Sequence, residues 1–254
     1  LRTALKAAIK VAERRANAPL RRVRLDVGQE RHIGVLKGQY APVNQDDLFI
    51  GFHAPSGIGL FLVSDGVSIS EHGSGDLASG CVRAAAVSTW QAVLEGRPGE
   101  TNVDEDITLD GFEEIDLALP ENEAGRRAVL KAMIQSGNAR IAQLIHRSMP
   151  RFTGPAEGIM AATTVAALVE GNQATLMSIG DSRIYLIRDG HITSLLVDHD
   201  LATQLIRVGH PPTVARAAPS AAALIRCVGE FEKDDDDRLV PADLRPEFRR
   251  LSLL

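Results

Sequence analysis

The chain has 254 residues, of which 44% are hydrophobic and 24% charged, and its formal net charge is −5. These values are typical of a globular protein, and the length allows one large domain or two small ones. No apolar run reaches the length of a membrane span, and no secretory signal opens the chain. Two cysteines, Cys81 and Cys227, give neither a disulfide framework nor a metal-ligand spacing, so we expect a cytoplasmic protein.

Residues 1–20 combine a helical composition with the helix-breaking sequence "NAPL". Residues 1–37 hold ten Lys or Arg against three acidic residues, which could attract phosphates or acidic partners. No aromatic residues are interleaved for base stacking, so we expect no nucleic-acid partner. Because the chain starts at Leu1 instead of Met, we interpret residues 1–20 as a basic linker or the end of a preceding domain in a longer parent protein.

Short strands alternating with turns are predicted from Arg22 to Val63. A first helix follows, with Leu77, Cys81, Val82 and Ala85 on one apolar face. A second helix is predicted over Glu123–Ser148. The stretch between the helices is strongly acidic and is predicted to be an exposed loop.

The clearest strand pattern extends from "AATT" to "VDHD", where three or four apolar runs are separated by the hairpin signals "EGNQ" and "RDGH". Successive hairpins form an antiparallel meander. Together with the earlier strands and the two helices, this order of elements predicts an α+β layered domain. The glycine-rich phosphate-binding motifs G-x-x-x-x-G-K-[ST] and G-x-G-x-x-G do not occur in the sequence.

Three aspartate motifs stand where an apolar strand starts, ends or bends: "NQDD" (Asn44 to Asp47), "SDG" with Asp65, and "GDSR" (Gly180 to Arg183). An ionised carboxylate at such a position is costly to bury unless a cation or a hydrogen bond compensates it. If the three strand ends converge on one edge of a sheet, their oxygens would suit Mg²⁺ or Mn²⁺. From spacing alone, three ordinary turn aspartates are an equally good interpretation.

The ordered set "NQDD", "LFLVSDGVS", "GDLAS", "AATTVAALV", "IGDSRIYLIRDG" and "LVDHD" resembles the metal-dependent, type 2C (PPM) protein serine/threonine phosphatases, in particular their bacterial branch. The order and approximate spacing hold from about Arg22 to Gly229, and "GDSRIYLIRDG" is the most specific segment. The resemblance implies a four-layer sandwich of two antiparallel sheets flanked by helices. It also implies that residues 21–254 are a phosphatase-like catalytic domain that serves in signalling.

The site implied by the resemblance is a pair of Mn²⁺ or Mg²⁺ ions at one end of the sandwich. Asp65 matches the carboxylate that bridges the two ions, and Gly66 matches the residue whose carbonyl binds one of them. Asp46 matches the acidic residue that holds the site partly through water, and Asp181 matches the ligand of a third, weaker ion. A hydroxide bridging the ions would attack the phosphorus of phosphoserine or phosphothreonine in a phosphoprotein substrate.

Four departures from the family pattern favour an alternative, a catalytically weak regulatory or binding module with the same fold. Lys37 replaces the arginine that holds the substrate phosphate, and Gln45 replaces a glutamate. The sequence "VSIS" replaces Gly-Gly-His after "SDG", with His72 as a loose substitute that we interpret as a loop histidine. A second strand with Asp-Gly and a final Asp-Asn are expected after "LVPADLRPEFRRLSLL", so we expect the catalytic domain to be incomplete at its C-terminus.

Overall fold

The computed structural model of the chain describes residues 25–33, 43–53, 57–68, 70–95, 122–149, 152, 154, 158–236 and 238–253. Residues 1–20 and Lys37 therefore lie outside the described residues. The elements in chain order are β1 (Asp46–His53), β2 (Ile58–Gly66), α1 (Gly75–Glu95), α2 (Glu123–Ser148), β3 (Ala162–Glu170), β4 (Gln173–Ile179), β5 (Tyr185–Arg188), β6 (His191–Ser194), α3 (Leu201–Arg207), α4 (Pro212–Arg216), β7 (Phe231–Lys233), β8 (Leu239–Pro241) and β9 (Glu247–Ser252).

A five-stranded sheet with the order β1-β2-β3-β4-β9 organises the fold, and every neighbouring pair of its strands is antiparallel. The pairs β5–β6 and β7–β8 form two separate antiparallel ribbons. Helices and antiparallel sheets together confirm the predicted α+β class. The four-layer sandwich stays a prediction, because the described residues contain one large sheet and two short ribbons.

The alternation of side chains along β2 assigns a different cluster to each face of this sheet. Ile58, Leu60 and Leu62 are buried on the face that packs against α1 and α2. Phe61 points to the opposite face, where it contacts a smaller cluster that includes Leu195 and Leu196. Because side chains alternate with a period of two, this pattern fixes which face each residue of β2 must occupy.

Helix α2 has the bounds that the sequence predicts. Asn122 caps its start, since its side-chain oxygen accepts a hydrogen bond from the Gly125 N–H at 2.9 Å. The helix ends at Ser148, two residues before Pro150, a residue that cannot continue a helix.

Among the described residues, no helix combines the length and the hydrophobicity that crossing a bilayer requires.

The predicted apolar face of α1 is wrong at one position, because Leu77 is exposed. The predicted Val82 and Ala85 are buried, and Ala78 and Ala86 complete the buried face. Small side chains allow α1 to lie close to its neighbours, as at Gly137 of α2, where an added Cβ would come within 3.3 Å of the Val82 Cα.

A buried ion pair fastens α2 to the sheet. Arg126 is only 4% exposed, yet its guanidinium pairs with the Glu170 carboxylate at the end of β3. Its Nε also donates to the Thr175 Oγ1 at 3.2 Å. A buried guanidinium needs such partners, since removing one partner leaves an uncompensated charge inside the protein.

We predict that Glu170→Gln lowers the free energy of unfolding by about 3 kcal/mol, because it leaves the Arg126 charge buried without its carboxylate. Glu123→Gln is the matched control, since it removes the carboxylate that pairs with Arg127 at the surface. That change should cost less than about 1 kcal/mol. Denaturant titration of both variants measures the difference, and equal losses would contradict the role assigned to Arg126.

Candidate metal centre at one end of the sheet

The register of β1, β2 and β3 brings two of the predicted motifs together. Asp46 lies directly opposite Asp65, and Asp65 lies directly opposite Thr163. Residues opposite each other in an antiparallel pair project to the same face, with Cβ atoms about 5 Å apart. "NQDD" and "SDG" therefore meet in one row at the end of the sheet, on the face away from α1 and α2.

The third motif continues this row. The turn Gly180–Arg183 follows β4, and an added Cβ on Gly180 would overlap the side chain of Thr163. The Ser182 Oγ lies 2.6 Å from the Thr163 Oγ1, in a hydrogen bond that either hydroxyl can donate. Asp181 is thus held beyond the end of β4, with β3 between it and Asp65 of β2, at the same end of the sheet, and is exposed.

Asp46, Asp65 and Asp181 lie at the same end of the sheet but do not form a compact group of metal ligands. In the ranges that the structure describes, no three His, Cys, Asp or Glu side chains lie close enough together to hold a metal ion. The chemistry of the donors nevertheless fits Mg²⁺ or Mn²⁺, since carboxylate and backbone carbonyl oxygens are the ligands that these cations prefer.

Gly66 is fixed by contacts on two sides. Its N–H donates to the Gln45 carbonyl at 3.0 Å, and an added Cβ would overlap the carbonyl of Gly75, the first residue of α1. The Ser79 Oγ of α1 donates to the same Gln45 carbonyl at 2.7 Å. The motifs "NQDD", "SDG" and "GDLAS" therefore contact one another through backbone atoms and the Ser79 hydroxyl.

Two of the departures from the family pattern also contact each other. The Ser68 Oγ, from "VSIS", donates to the Gln45 Oε1 at 2.7 Å. The amide of Gln45 is therefore hydrogen-bonded to the loop that follows Gly66. Because an amide replaces a carboxylate here, one negative charge fewer stands beside Asp46.

An arginine that the sequence prediction passed over lies at this end of the sheet. The Arg31 Nη1 donates to the Asp46 carbonyl at 3.0 Å and to the Asp47 Oδ1 at 2.9 Å. The same Asp47 oxygen accepts from the Leu48 N–H and lies 3.6 Å from the Arg83 Nε, so Asp47 anchors β1. Arg31 precedes "NQDD" by more residues than the expected arginine does, and Lys37 is the nearest basic residue before that motif.

The segment "VDHD" holds the Gly180–Arg183 turn. The Arg183 Nε donates to both Asp198 carboxylate oxygens, at 2.9 and 3.1 Å, and the Gly180 N–H donates to the His199 Nδ1 at 3.0 Å. Asp200 instead caps α3 through the Thr203 N–H. The His72 ring packs edge-to-face on the Phe152 ring, with their centroids 4.9 Å apart.

Comparison with known proteins relates this arrangement to bacterial phosphatases, although no family model matches the chain. This chain is 33% identical to the serine/threonine protein phosphatase PstP of Mycobacterium tuberculosis over 106 residues. The matched stretch covers 41% of this chain and 20% of PstP. Over 105 residues the chain is 32% identical to a putative protein phosphatase 2C-type of Streptococcus pyogenes, with 41% of this chain and 40% of that protein covered. The matched stretches thus span less than half of these relatives.

Solved structures agree on the fold. The serine/threonine phosphatase of S. agalactiae matches 92% of this chain and 74% of its own with a TM-score of 0.58 and 20% identity. The M. tuberculosis phosphatase PstP/Ppp matches 90% of this chain and 71% of its own with a TM-score of 0.53 and 24% identity. The resemblance that the motifs suggest is confirmed in sequence and in fold.

We predict that Gly66→Ala destabilises the protein by about 1–3 kcal/mol, because the new methyl group has to displace the backbone of Gly75. Gly80→Ala, within α1, is the matched control. Nothing lies within 4 Å of a Cβ at Gly80, so its replacement should stabilise the helix by roughly 0.5–1 kcal/mol. Thermal unfolding distinguishes the two, and a neutral Gly66→Ala would contradict the close approach of α1.

Proposed function

We propose that this chain, a relative of the bacterial type 2C protein serine/threonine phosphatases, is the catalytic domain of a metal-dependent enzyme that hydrolyses phosphoserine and phosphothreonine in proteins. The observation that carries the proposal is the row of Asp46, Asp65 and Thr163, with the Gly180–Arg183 turn beside it. Turn aspartates unrelated in function would have no reason to share one end of the sheet.

Asp46, Asp65 and the carbonyl of Gly66 would hold two metal ions, with Asp65 as the ligand shared by both, and Asp181 would hold a third. Mn²⁺ and Mg²⁺ both suit these donors. Bound there, the ions would supply a hydroxide at neutral pH and offset the charge on the phosphoryl oxygens. The register that aligns Asp46 with Asp65 also places Gly66, the next residue of β2, at this end of the sheet.

Arg31 is proposed to bind the substrate phosphate, the role for which the sequence alone indicates Lys37. Arg31 is 46% exposed, and its contacts with Asp46 and Asp47 are made by its Nη1. The planar guanidinium has further N–H donors, which can bind a phosphate in a bidentate manner that a lysine cannot reproduce. Asp47 would then hold Arg31 at the rim of the metal centre.

One set of observations favours the alternative, a regulatory or binding module with weak catalysis. The side chain of Gln45 is hydrogen-bonded to Ser68, and no three potential ligands come together among the described residues. Such a module would bind a phosphoprotein without turning it over. In either case the partner is a phosphoprotein, and the parent protein is proposed to act in the cytoplasm.

We predict that the full-length protein releases phosphate from a phosphothreonine peptide in the presence of Mn²⁺. Asp65→Asn should lower this activity by more than about 100-fold, since even residues that only orient the ligands of a metal ion typically change activity 10- to 100-fold. Asp189→Asn is the matched control, because Asp189 lies in the exposed β5–β6 turn with φ 52°, a conformation that asparagine accepts. Absence of turnover with both Mn²⁺ and Mg²⁺ would decide for the binding module.

We predict that Arg31→Ala raises KM about tenfold, as expected for the loss of a hydrogen-bonded charge pair with the phosphate. The variant also loses the contact with Asp47, so Asp47→Asn serves as the control for that anchoring role. Steady-state kinetics and unfolding of both variants separate the two roles. Equal changes of KM in the two variants would mean that Arg31 only anchors β1.

A further inference from the structure

Every residue of the Gly180–Arg183 turn except one is fastened to the rest of the protein. Gly180 accepts from the His199 N–H at 2.9 Å and donates to the His199 ring, Ser182 bonds Thr163, and Arg183 pairs with Asp198. Asp181 is the exception, since no hydrogen bond or ion pair joins its exposed side chain to the part of the chain that the structure describes. The turn is therefore rigidly held while Asp181 faces solvent.

The imidazole of His199 is the most buried element of this arrangement, with 1% of the residue exposed. Its Nδ1 accepts the Gly180 N–H, so the ring proton must lie on Nε2. Nε2 has no hydrogen-bond partner and lies 3.5 Å from the Glu247 Oε2, at the start of β9. The ring thus stands between the turn and the edge strand of the sheet.

A neutral His199 imidazole is consistent with this geometry. Burial lowers the pKa of its imidazole, and the positive charges of Arg226 and Arg207 lower it further, although the Glu247 carboxylate opposes them. A neutral ring can accept a hydrogen bond at Nδ1, whereas a protonated ring cannot.

We propose that His199 is a positioning residue for Asp181: by accepting the Gly180 N–H it fixes the backbone direction in which Asp181 presents its carboxylate to a divalent cation. Gly180 is buried and has φ 104°, a conformation open to glycine and rarely adopted by other residues. Without an acceptor at the Nδ1 position its N–H would be buried unpaired, and the turn would rearrange. The proposal rests on the proposed function, because it takes Asp181 as a metal ligand.

Two variants of His199 test the proposal. In His199→Asn the side-chain oxygen can occupy the place of Nδ1 and accept from Gly180, whereas in His199→Gln the amide lies near the place of Nε2 and cannot do so without distortion. Asp200→Asn is the control, since Asp200 belongs to the same motif but bonds Thr203 of α3, and asparagine caps helices equally well.

The first readout is hydrogen exchange of the Gly180 amide in the metal-free protein, measured by NMR. We expect at least about tenfold faster exchange in His199→Gln, and protection near the original level in His199→Asn and Asp200→Asn. Unchanged exchange in His199→Gln would overturn the positioning role, whether or not the protein binds metal.

The second readout is Mn²⁺ binding to the full-length protein, followed by electron paramagnetic resonance. We expect His199→Gln to weaken the binding step that Asp181→Asn removes by about 10- to 100-fold, and His199→Asn to restore it. If both His199 variants lose thermal stability alike and leave that step unchanged, His199 is a structural core residue and the proposal is wrong. If the unsubstituted protein binds no Mn²⁺, the proposed function fails, and the assignment of Asp181 fails with it.

Discussion

The antiparallel register of β1, β2 and β3 is the constraint on which the rest of the candidate centre depends. A slip of one residue would move every side chain of a strand to the other face of the sheet. Burial of Ile58, Leu60 and Leu62 against the helices opposes such a slip, since it would expose all three. The position of Asp65 opposite Asp46 is therefore a consequence of hydrophobic packing several residues away.

The features that the sequence predicts are those determined by residues close together in the chain. Helix α2 is determined locally, by the Asn122 cap, by its apolar stripe and by the proline beyond its end, so its bounds are predicted without error. The hairpin signals likewise identify the β3–β4 and β5–β6 pairs, because a short turn leaves two strands little choice of partner. The α+β class follows from these local elements.

The convergence of the aspartate motifs was one of two interpretations of the sequence, but other contacts between distant segments were not predicted. The pairing of β9 with β4 joins residues that the sequence separates widely, and neither strand indicates its partner. Arg31 reaches Asp46 and Asp47 across residues of unrelated pattern, so spacing pointed to Lys37 instead. The exposure of Leu77 has the same origin: helical periodicity identifies a face, but only the packing of α1 selects which residues are covered.

The hydrogen bond between Ser68 and Gln45 changes how the departures from the family pattern are interpreted. Taken one by one, the loss of a glutamate and the loss of Gly-Gly-His each remove a feature of the site. In the structure the two replacements form one contact, in which a hydroxyl donates to an amide oxygen. A neutral pair of this kind does not change its charge near neutral pH, so the surroundings of Asp46 keep the same electrostatics there.

The contact between Gly66 and Gly75 has a consequence for how proteins with this arrangement can diverge. Two backbones that touch leave no volume in which mutation can add a side chain, so this part of the centre is closed to gradual variation. Gln45, Ser68 and Arg31 lie around it with side chains that can be exchanged one at a time. Sequence differences among proteins with this arrangement are therefore expected in these side chains and not at the two glycines.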